Sequence, residues 1–222
     1  MFIIITISIH LDKFNFIIKI IFIIYIIIML KIFSQMTKII VTIMENKMGF
    51  KLANINGKSS LVKDNKYYDI ETISNGQLTS DPSKIINYIN SLKKLYSKID
   101  TFEPIGEVDG LSMGAPITNS VNCFAVGLNY KAHAEESDME IPQFPMVFTK
   151  HTSCIVGPFD NIEMKSDIVD YEAELVVVIG KQGKNISKED AWDHVAGLTV
   201  GQDISDRAVQ FHATPPQFNL GK

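Results

Sequence analysis

Residues 169–180, VDYEAELVVVIG, combine carboxylates on alternate positions with a run of aliphatic side chains. The apolar continuation predicts a covered β-strand. Because successive side chains of a strand point to opposite faces, Glu172 and Glu174 project from one face, which Asp170 shares by parity. Buried carboxylates at this spacing repel each other and require a positive partner. The alternative is a solvent-exposed strand edge, so the segment predicts either a cation site or an acidic edge.

A third carboxylate comes from a later segment, AGLTVGQDISDRAVQ, residues 196–210. Asp203 follows the apolar stretch LTV and a glycine, where a strand would end and present its side chain to a cleft. Three carboxylates that leave positions open for water suit a hard divalent cation. The spacing therefore predicts a site for Mg²⁺, with Mn²⁺ or Ca²⁺ as alternatives.

A possible general base lies upstream, in VGLNYKAHAEES, residues 126–137. His133 and Glu136 are three residues apart, so on a helix they are neighbours on one face. The glutamate can then orient the imidazole and tune its charge, which is a general-base arrangement. The alternative is a solvated pair on a charged helix surface.

The chain divides into three parts by composition. An α+β module is predicted at 48–112, with a hairpin turn at Asn56 and Gly57, a helix from Asp81 to about Asp100, and a linker rich in glycine and proline. Short apolar runs separated by glycine and proline follow in residues 113–222. They predict a mixed or mostly β domain.

Residues 1–47 form a hydrophobic extension with three possible origins. The longest clean apolar run has eleven residues, whereas a membrane-spanning helix needs about 20. We favour a translated leader, with Met36, Met44 and Met48 as alternative starts. A membrane anchor at 14–30 is the second reading, and a signal peptide is the third.

Composition excludes two classes of function. The formal net charge is −4, and no segment clusters the Lys and Arg residues that phosphate binding requires, so a nucleic-acid partner is not expected. The two cysteines have no CxxC spacing, which argues against a thiolate zinc site. A reducing, cytoplasmic location is the default expectation.

Four motifs resemble those of the fumarylacetoacetate hydrolase family in order and spacing. They are VGLNYKAHAEES, DYEAELVVVIG, GLTVGQDISDRAVQ and FNLGK. The resemblance runs from about Met48 to Lys222. It implies an α+β, mostly β fold, a mixed β-roll that is usually dimeric and preceded by a small α+β domain. Family members continue beyond the lysine that matches Lys222, so the resemblance implies a fragment whose roll is incomplete at the C-terminus.

The resemblance also assigns roles to single residues. It implies metal ligands for Mg²⁺ or Mn²⁺, a base dyad, residues that contact substrate oxygens, and a lysine that meets the substrate's carboxylate or carbonyl. In this sequence the ligands fall on Glu172, Glu174 and Asp203, the dyad on His133 and Glu136, the substrate contacts on Arg207 and Gln210, and the lysine on Lys222.

The implied function is a divalent-metal-dependent enzyme that acts on an α-keto or 1,3-dicarbonyl acid. Its reaction would be hydrolysis of a C–C bond, isomerisation or tautomerisation, each through an enolate that the metal stabilises. Two alternatives stay open: an oxaloacetate-type decarboxylase, and a metal-binding fragment without activity.

Overall fold

The computed structural model describes residues 49–108, 111–136, 138–216 and 218–222. Residues Lys51–Lys222 form one compact unit. The extension predicted at 1–47, including the possible anchor at 14–30, lies outside the described residues. Within the described ranges, no helix is both long enough and apolar enough to cross a membrane.

Short strands outnumber α-helices in this unit. The strands are β1 (Lys51–Ile55), β2 (Lys58–Lys63), β3 (Lys66–Asp69), β4 (Gly106–Glu107), β5 (Met113–Gly114), β6 (Cys123–Gly127), β7 (Met146–Lys150), β8 (Val169–Asp170), β9 (Ala173–Ile179), β10 (Val195–Gln202) and β11 (Ser205–Asp206). The α-helices are α1 (Ile70–Ile73), α2 (Ile89–Tyr96), α3 (Lys131–Glu136) and α4 (Arg207–Phe211). Turns of 3-10 helix lie at Ile85–Tyr88, Ile99–Thr101, Thr152–Cys154, Ala191–His194 and Phe218–Leu220.

A five-stranded antiparallel sheet in the order β4-β3-β2-β1-β5 builds the N-terminal part. Its first hairpin turns at Asn56 and Gly57, whose φ angles are 51° and 80°, and this confirms the predicted turn with positive φ at both central residues. The stretch predicted as a linker supplies β4 and β5. A loop was the wrong prediction there, because the outer strands offer free backbone groups that short segments can pair. The domain boundary near residue 112 stays a prediction.

The helix predicted from Asp81 to Asp100 forms only in part. Regular α-helix is confined to α2, and 3-10 turns flank it on both sides. Asp81 accepts a hydrogen bond from the Ser83 backbone at 2.9 Å, so it caps a turn rather than a long helix. Three of the apolar residues at helical spacing, Ile85, Leu92 and Ile99, are nevertheless buried in the core of this part.

Asp69 joins β3 to α1 as the N-cap residue of that helix. Its Oδ1 accepts hydrogen bonds from the backbone N and the Oγ1 of Thr72, both at 2.8 Å, and its Oδ2 accepts one from Ser80 at 3.3 Å. Burial would raise the pKa of Asp69, but the bonds from Thr72, with the charge of Lys58 and the Ser80 hydroxyl, hold that pKa below its usual range. The folded state therefore favours the carboxylate form.

Replacing Asp69 with alanine is expected to lower the free energy of unfolding at pH 7 by about 1–2 kcal/mol. Because folding depresses this pKa, the contribution is complete above the unfolded value of about 3.9 and is lost as the pH falls through the folded value. Urea unfolding at pH 7 and pH 3 measures both effects. Asp100→Ala is the control, since that carboxylate is 76% exposed and its ion pair with Lys63 contributes little. A loss in Asp69→Ala that is the same at both pH values would contradict the assignment.

Three two-stranded antiparallel ribbons build the C-terminal part: β6 with β7, β9 with β10, and β8 with β11. In the second ribbon Glu174 lies opposite Gly201. The expectation that β9 is covered is wrong for this chain, since Leu175 is 39% and Ile179 62% exposed. The ribbon nevertheless sets the register that places the end of β10 beside the start of β9.

Candidate active site and its charge cluster

The backbone pairing of β9 and β10 brings two predicted metal ligands together. Glu172 lies just before β9, and Asp203 lies just after β10. The Asp203 backbone N–H donates to the Glu172 carbonyl oxygen at 2.8 Å. Two carboxylates that are 31 positions apart in sequence therefore become neighbours at one end of the ribbon.

Glu172 is the most heavily hydrogen-bonded of the three carboxylates. Its Oε1 accepts from Lys222 Nζ at 2.7 Å, Arg207 Nη2 at 2.6 Å and Ser205 Oγ at 3.2 Å. Burial would raise the pKa of Glu172, but the bonds from Lys222 and Arg207 outweigh it and keep the pKa below its ordinary value. The sequence analysis assigned no role to Ser205, which is fully buried.

Lys222 lies between Glu172 and Asp203. Its Nζ is 3.3 Å from Asp203 Oδ2, and the side chains of this second pair are 4% and 7% exposed. The Phe148 ring supports the same ammonium group, with its centroid 5.3 Å away. A positive charge therefore occupies the space between the buried Asp203 and the partly buried Glu172, which would otherwise repel each other.

Lys150 is a second ammonium group in the cluster, and sequence analysis missed it. It ends β7 and pairs with Asp203 Oδ1. The available signal was a charged residue at the end of the apolar run PMVFTK, but only the tertiary fold shows which carboxylate it meets. Asp203 thus has an ammonium group on each of its two oxygens.

Arg207 and Gln210, both predicted to contact substrate, share the short helix α4. Asp206 caps this helix by accepting from the Ala208 backbone at 3.0 Å. Arg207 Nη1 donates to Gln210 Oε1 at 2.8 Å, while Nη2 and Nε reach Asp170 Oδ2 at 2.7 Å and 3.2 Å. Burial would lower the pKa of Arg207, but bonds to Asp170 and Glu172 raise it. Asp170 therefore forms an ion pair with the arginine.

Glu174 differs from the other two carboxylates, because burial and then the charge of Glu172 raise its pKa. A hydrogen bond from the Tyr130 hydroxyl opposes this rise, and the charge of Asp203 adds to it. The negative charges of Glu172 and Asp203 thus both favour the protonated form of Glu174. As carboxylates, the three residues are of the ligand type that a hard divalent cation prefers.

The three predicted ligands nevertheless match a metal ion in chemical type but not in the positions of their side chains. Within the described ranges, no group of three His, Cys, Asp or Glu side chains is positioned to hold one ion. Lys222 and Lys150 instead contact the oxygens of Asp203, and Lys222 also contacts Glu172. The donor chemistry matches a divalent cation, and binding one would require the Lys222 ammonium group to leave its place between the two carboxylates.

The predicted base dyad lies on α3, which forms over Lys131–Glu136. The helix agrees with the three-residue spacing of His133 and Glu136. Their side chains lie outside the described part of the structure, so the dyad stays a prediction.

A family profile described as Fumarylacetoacetate (FAA) hydrolase C-terminal matches residues 122–222. That segment contains all of the charged residues described above, here called the charge cluster: Lys150, Asp170, Glu172, Glu174, Asp203, Arg207 and Lys222. Over these residues the chain matches the fumarylacetoacetate hydrolase family. A putative HpcE protein from Mycobacterium smegmatis is 35% identical, and the match covers 77% of this chain and 60% of that one with a TM-score of 0.66. The predicted fold, a mostly β fumarylacetoacetate hydrolase-like roll, is confirmed.

Two further proteins that resemble this chain were found, one by sequence and one by structure. Oxaloacetate tautomerase fahd2, mitochondrial, from Xenopus laevis is 43% identical over 135 residues, which are 60% of this chain and 42% of that one. This chain thus spans less than half the length of that relative. Maleylpyruvate hydrolase from Sphingobium sp. SYK-6, in complex with manganese(II) ion and pyruvate, is 22% identical with a TM-score of 0.57 over 70% of this chain and 59% of that one. At this identity the likeness shows the fold alone.

Proposed function

We propose that the charge cluster is the active site of a divalent-metal-dependent enzyme that tautomerises or hydrolyses an α-keto or 1,3-dicarbonyl acid. The observation that carries the proposal is the buried position of Lys222 between Glu172 and Asp203, with Arg207 on the same glutamate. With Lys150 on Asp203, three cations meet one buried and one partly buried carboxylate, where desolvation offsets much of the attraction between the ions. Ionisable groups whose pKa values are shifted by burial and by specific charged partners are typical of functional sites.

We propose Glu172, Glu174 and Asp203 as the ligands of the metal, with Mg²⁺ or Mn²⁺ ahead of Ca²⁺. All three are carboxylates, the ligand type that these hard cations prefer. The maleylpyruvate hydrolase of the same fold was solved with manganese(II), which supports a divalent ion in this fold. When bound, the ion would supply positive charge that stabilises enolate character in a keto acid.

The protein's own cations would complete the substrate site. Arg207 can pair with a carboxylate through its planar guanidinium group, and Gln210 holds that group in place from the same helix. Lys222, released from between its two carboxylates, would neutralise charge on a carbonyl oxygen. His133, oriented by Glu136, would take the proton from the carbon next to the carbonyl and deliver it to the carbonyl oxygen, which gives the enol.

Tautomerisation is the reaction that we place first, with an oxaloacetate-type keto acid as substrate. The support is the Xenopus laevis relative, which is named an oxaloacetate tautomerase and is 43% identical over the shared region. Tautomerisation needs only a proton transfer between carbon and oxygen, which a base and stabilised enolate charge can provide. Hydrolysis of a C–C bond additionally needs water as a nucleophile.

Assembly and location are further parts of the proposal. We propose a homodimer, and light scattering of the purified chain tests it. For the compartment, the charge and cysteine content fit the cytoplasm, whereas the Xenopus laevis relative is named a mitochondrial protein. Fractionation of cells that express the tagged full-length chain would distinguish the two.

The double substitution Glu172→Gln and Glu174→Gln is expected to abolish Mn²⁺ binding. An amide keeps the shape of each side chain but removes the charge that a divalent ion requires. Calorimetric titration of Mn²⁺ into the wild type and the variant measures the loss. Asp100→Asn is the control, because it removes an exposed carboxylate of the N-terminal part. Retained Mn²⁺ affinity in the double variant would refute the proposed ligands.

A further inference from the structure

Two lysine side chains share the Asp203 carboxylate. Lys150 pairs with its Oδ1, and Lys222 Nζ lies 3.3 Å from its Oδ2. The exposed fractions of these side chains are 7% for Asp203, 4% for Lys222 and 16% for Lys150. Two ammonium groups therefore compensate one negative charge that has little contact with water.

The two lysines are held by different parts of the fold. Lys150 ends β7, which is paired along its length with β6, and within the described residues its one ion-pair partner is Asp203. Lys222 follows a single 3-10 turn, Phe218–Leu220, and has a second partner, because its Nζ also contacts Glu172 Oε1 at 2.7 Å. Lys150 is thus the fixed member of the pair, and Lys222 is the member that can exchange contacts.

Sharing the carboxylate weakens each of the two contacts. The first ammonium group compensates most of the buried charge, so the second gains less, and the two like charges also repel each other. A buried carboxylate that loses its last cation, by contrast, is strongly destabilising. With Lys150 in place, Lys222 can therefore leave Asp203 without leaving that carboxylate uncompensated. Without Lys150, Lys222 would be the last cation on Asp203 and would be held there.

We propose that Lys150 is a positioning residue for Lys222: it stays on Asp203 as a permanent counter-ion and thereby lets the Lys222 ammonium group leave that carboxylate for the substrate. The inference rests on the proposed function, which requires the release of Lys222. It concerns the protein's own charges and needs no bound metal. Lys150 acts through Asp203 and Lys222, without touching the substrate.

The reactivity of the Lys222 amine toward acetic anhydride tests the proposal, because an ammonium group held in a buried ion pair reacts only after it leaves that pair. In metal-free Lys150→Met, Lys222 is expected to be acetylated about tenfold more slowly than in the wild type, an effect within the usual coupling between neighbouring charged groups. Mass spectrometry of the peptide that carries Lys222 measures the rate. Lys84, whose side chain is 67% exposed, reports the activity of the reagent in the same sample.

Two further variants separate the charge of Lys150 from its packing. Lys150→Arg keeps the positive charge, so Lys222 should be acetylated at the wild-type rate. Lys165→Met removes an exposed ammonium group that pairs with Glu163, and it should also leave the rate at Lys222 unchanged. A purely structural role for Lys150 predicts the opposite sign in Lys150→Met, since a loosened fold exposes Lys222 and speeds its acetylation.

Each outcome decides the role of Lys150. Slower acetylation of Lys222 in Lys150→Met, with the wild-type rate in Lys150→Arg, supports the proposal, and an unchanged or faster rate overturns it. Lys150→Gln replaces the methionine variant if that variant does not fold. Failure of both neutral variants to fold would make Lys150 a structural ion-pair residue, which also overturns the proposal.

Turnover of oxaloacetate is measured separately on the same variants. In Lys150→Met, kcat is expected to fall in proportion to the acetylation rate of Lys222, because both depend on the release of the same ammonium group. A wild-type chain without turnover would refute the proposed function, and the acetylation rates would still decide whether Lys150 controls the release of Lys222.

Discussion

Replacing His133 with alanine is expected to lower kcat for keto acid tautomerisation by about 10²–10⁴-fold, the usual contribution of a general acid or base. The Mn²⁺ affinity should stay at its wild-type value, because the proposed ligands lie on other elements of the fold. Steady-state kinetics on oxaloacetate, with Mn²⁺ titrations on the same preparations, measure both quantities. The combination separates a base from a residue that merely supports folding or metal binding.

His212→Ala provides the matched control for this prediction. His212 is the exposed C-cap residue of α4, and its loss should leave kcat unchanged. Glu136→Gln should lower kcat less than His133→Ala, because it removes the orienting charge and leaves the imidazole. Wild-type turnover in His133→Ala would show that the proton is moved by another group.

Replacing Lys222 with methionine is expected to lower the free energy of unfolding of the metal-free chain by about 3 kcal/mol. The change leaves Glu172 and Asp203 facing each other without the cation that separates them. Mn²⁺ should restore more stability to this variant than to the wild type, because the ion no longer competes with the ammonium group. Urea unfolding with and without Mn²⁺ measures the difference.

A double-mutant cycle isolates the pair from other effects of the methionine. Adding Glu172→Gln to Lys222→Met should cost less than the sum of the two single changes, because the remaining repulsion disappears. Lys84→Met is the surface control: its ion pair with Asp81 is well exposed, so little loss is expected. A Lys222→Met chain as stable as the wild type would contradict the buried position of this ammonium group.

Local patterns account for much of what sequence analysis predicted correctly. A glycine shortly before Asp203 marked the end of β10, whereas the strand parity that paired Glu172 with Glu174 does not apply, because Glu172 lies before β9 begins. The hairpin at Asn56 and Gly57 follows directly from their tolerance of positive φ. These features depend on a few adjacent residues, which is why one sequence is enough to predict them.

The errors arose where distant segments decide the outcome. The pairing of β4 and β5 with the N-terminal sheet depends on edges that come from elsewhere in the chain. Lys150 and Tyr130 acquire their partners only through tertiary contacts, at separations of 53 and 45 residues. Periodicity likewise predicted one helix to Asp100, but it could not show that the helix breaks into α2 and 3-10 turns.

The most direct test of the central claim is the rate of oxaloacetate tautomerisation. It is measured with the purified 222-residue chain in Mn²⁺, and again after a chelator has removed the metal. We expect a rate above that of buffer containing the same Mn²⁺ concentration, its loss on chelation, and its recovery when Mn²⁺ is returned. The Glu172→Gln and Glu174→Gln double variant should give only the buffer rate. A wild-type rate equal to that of Mn²⁺ in buffer, or one that survives chelation unchanged, would contradict the account.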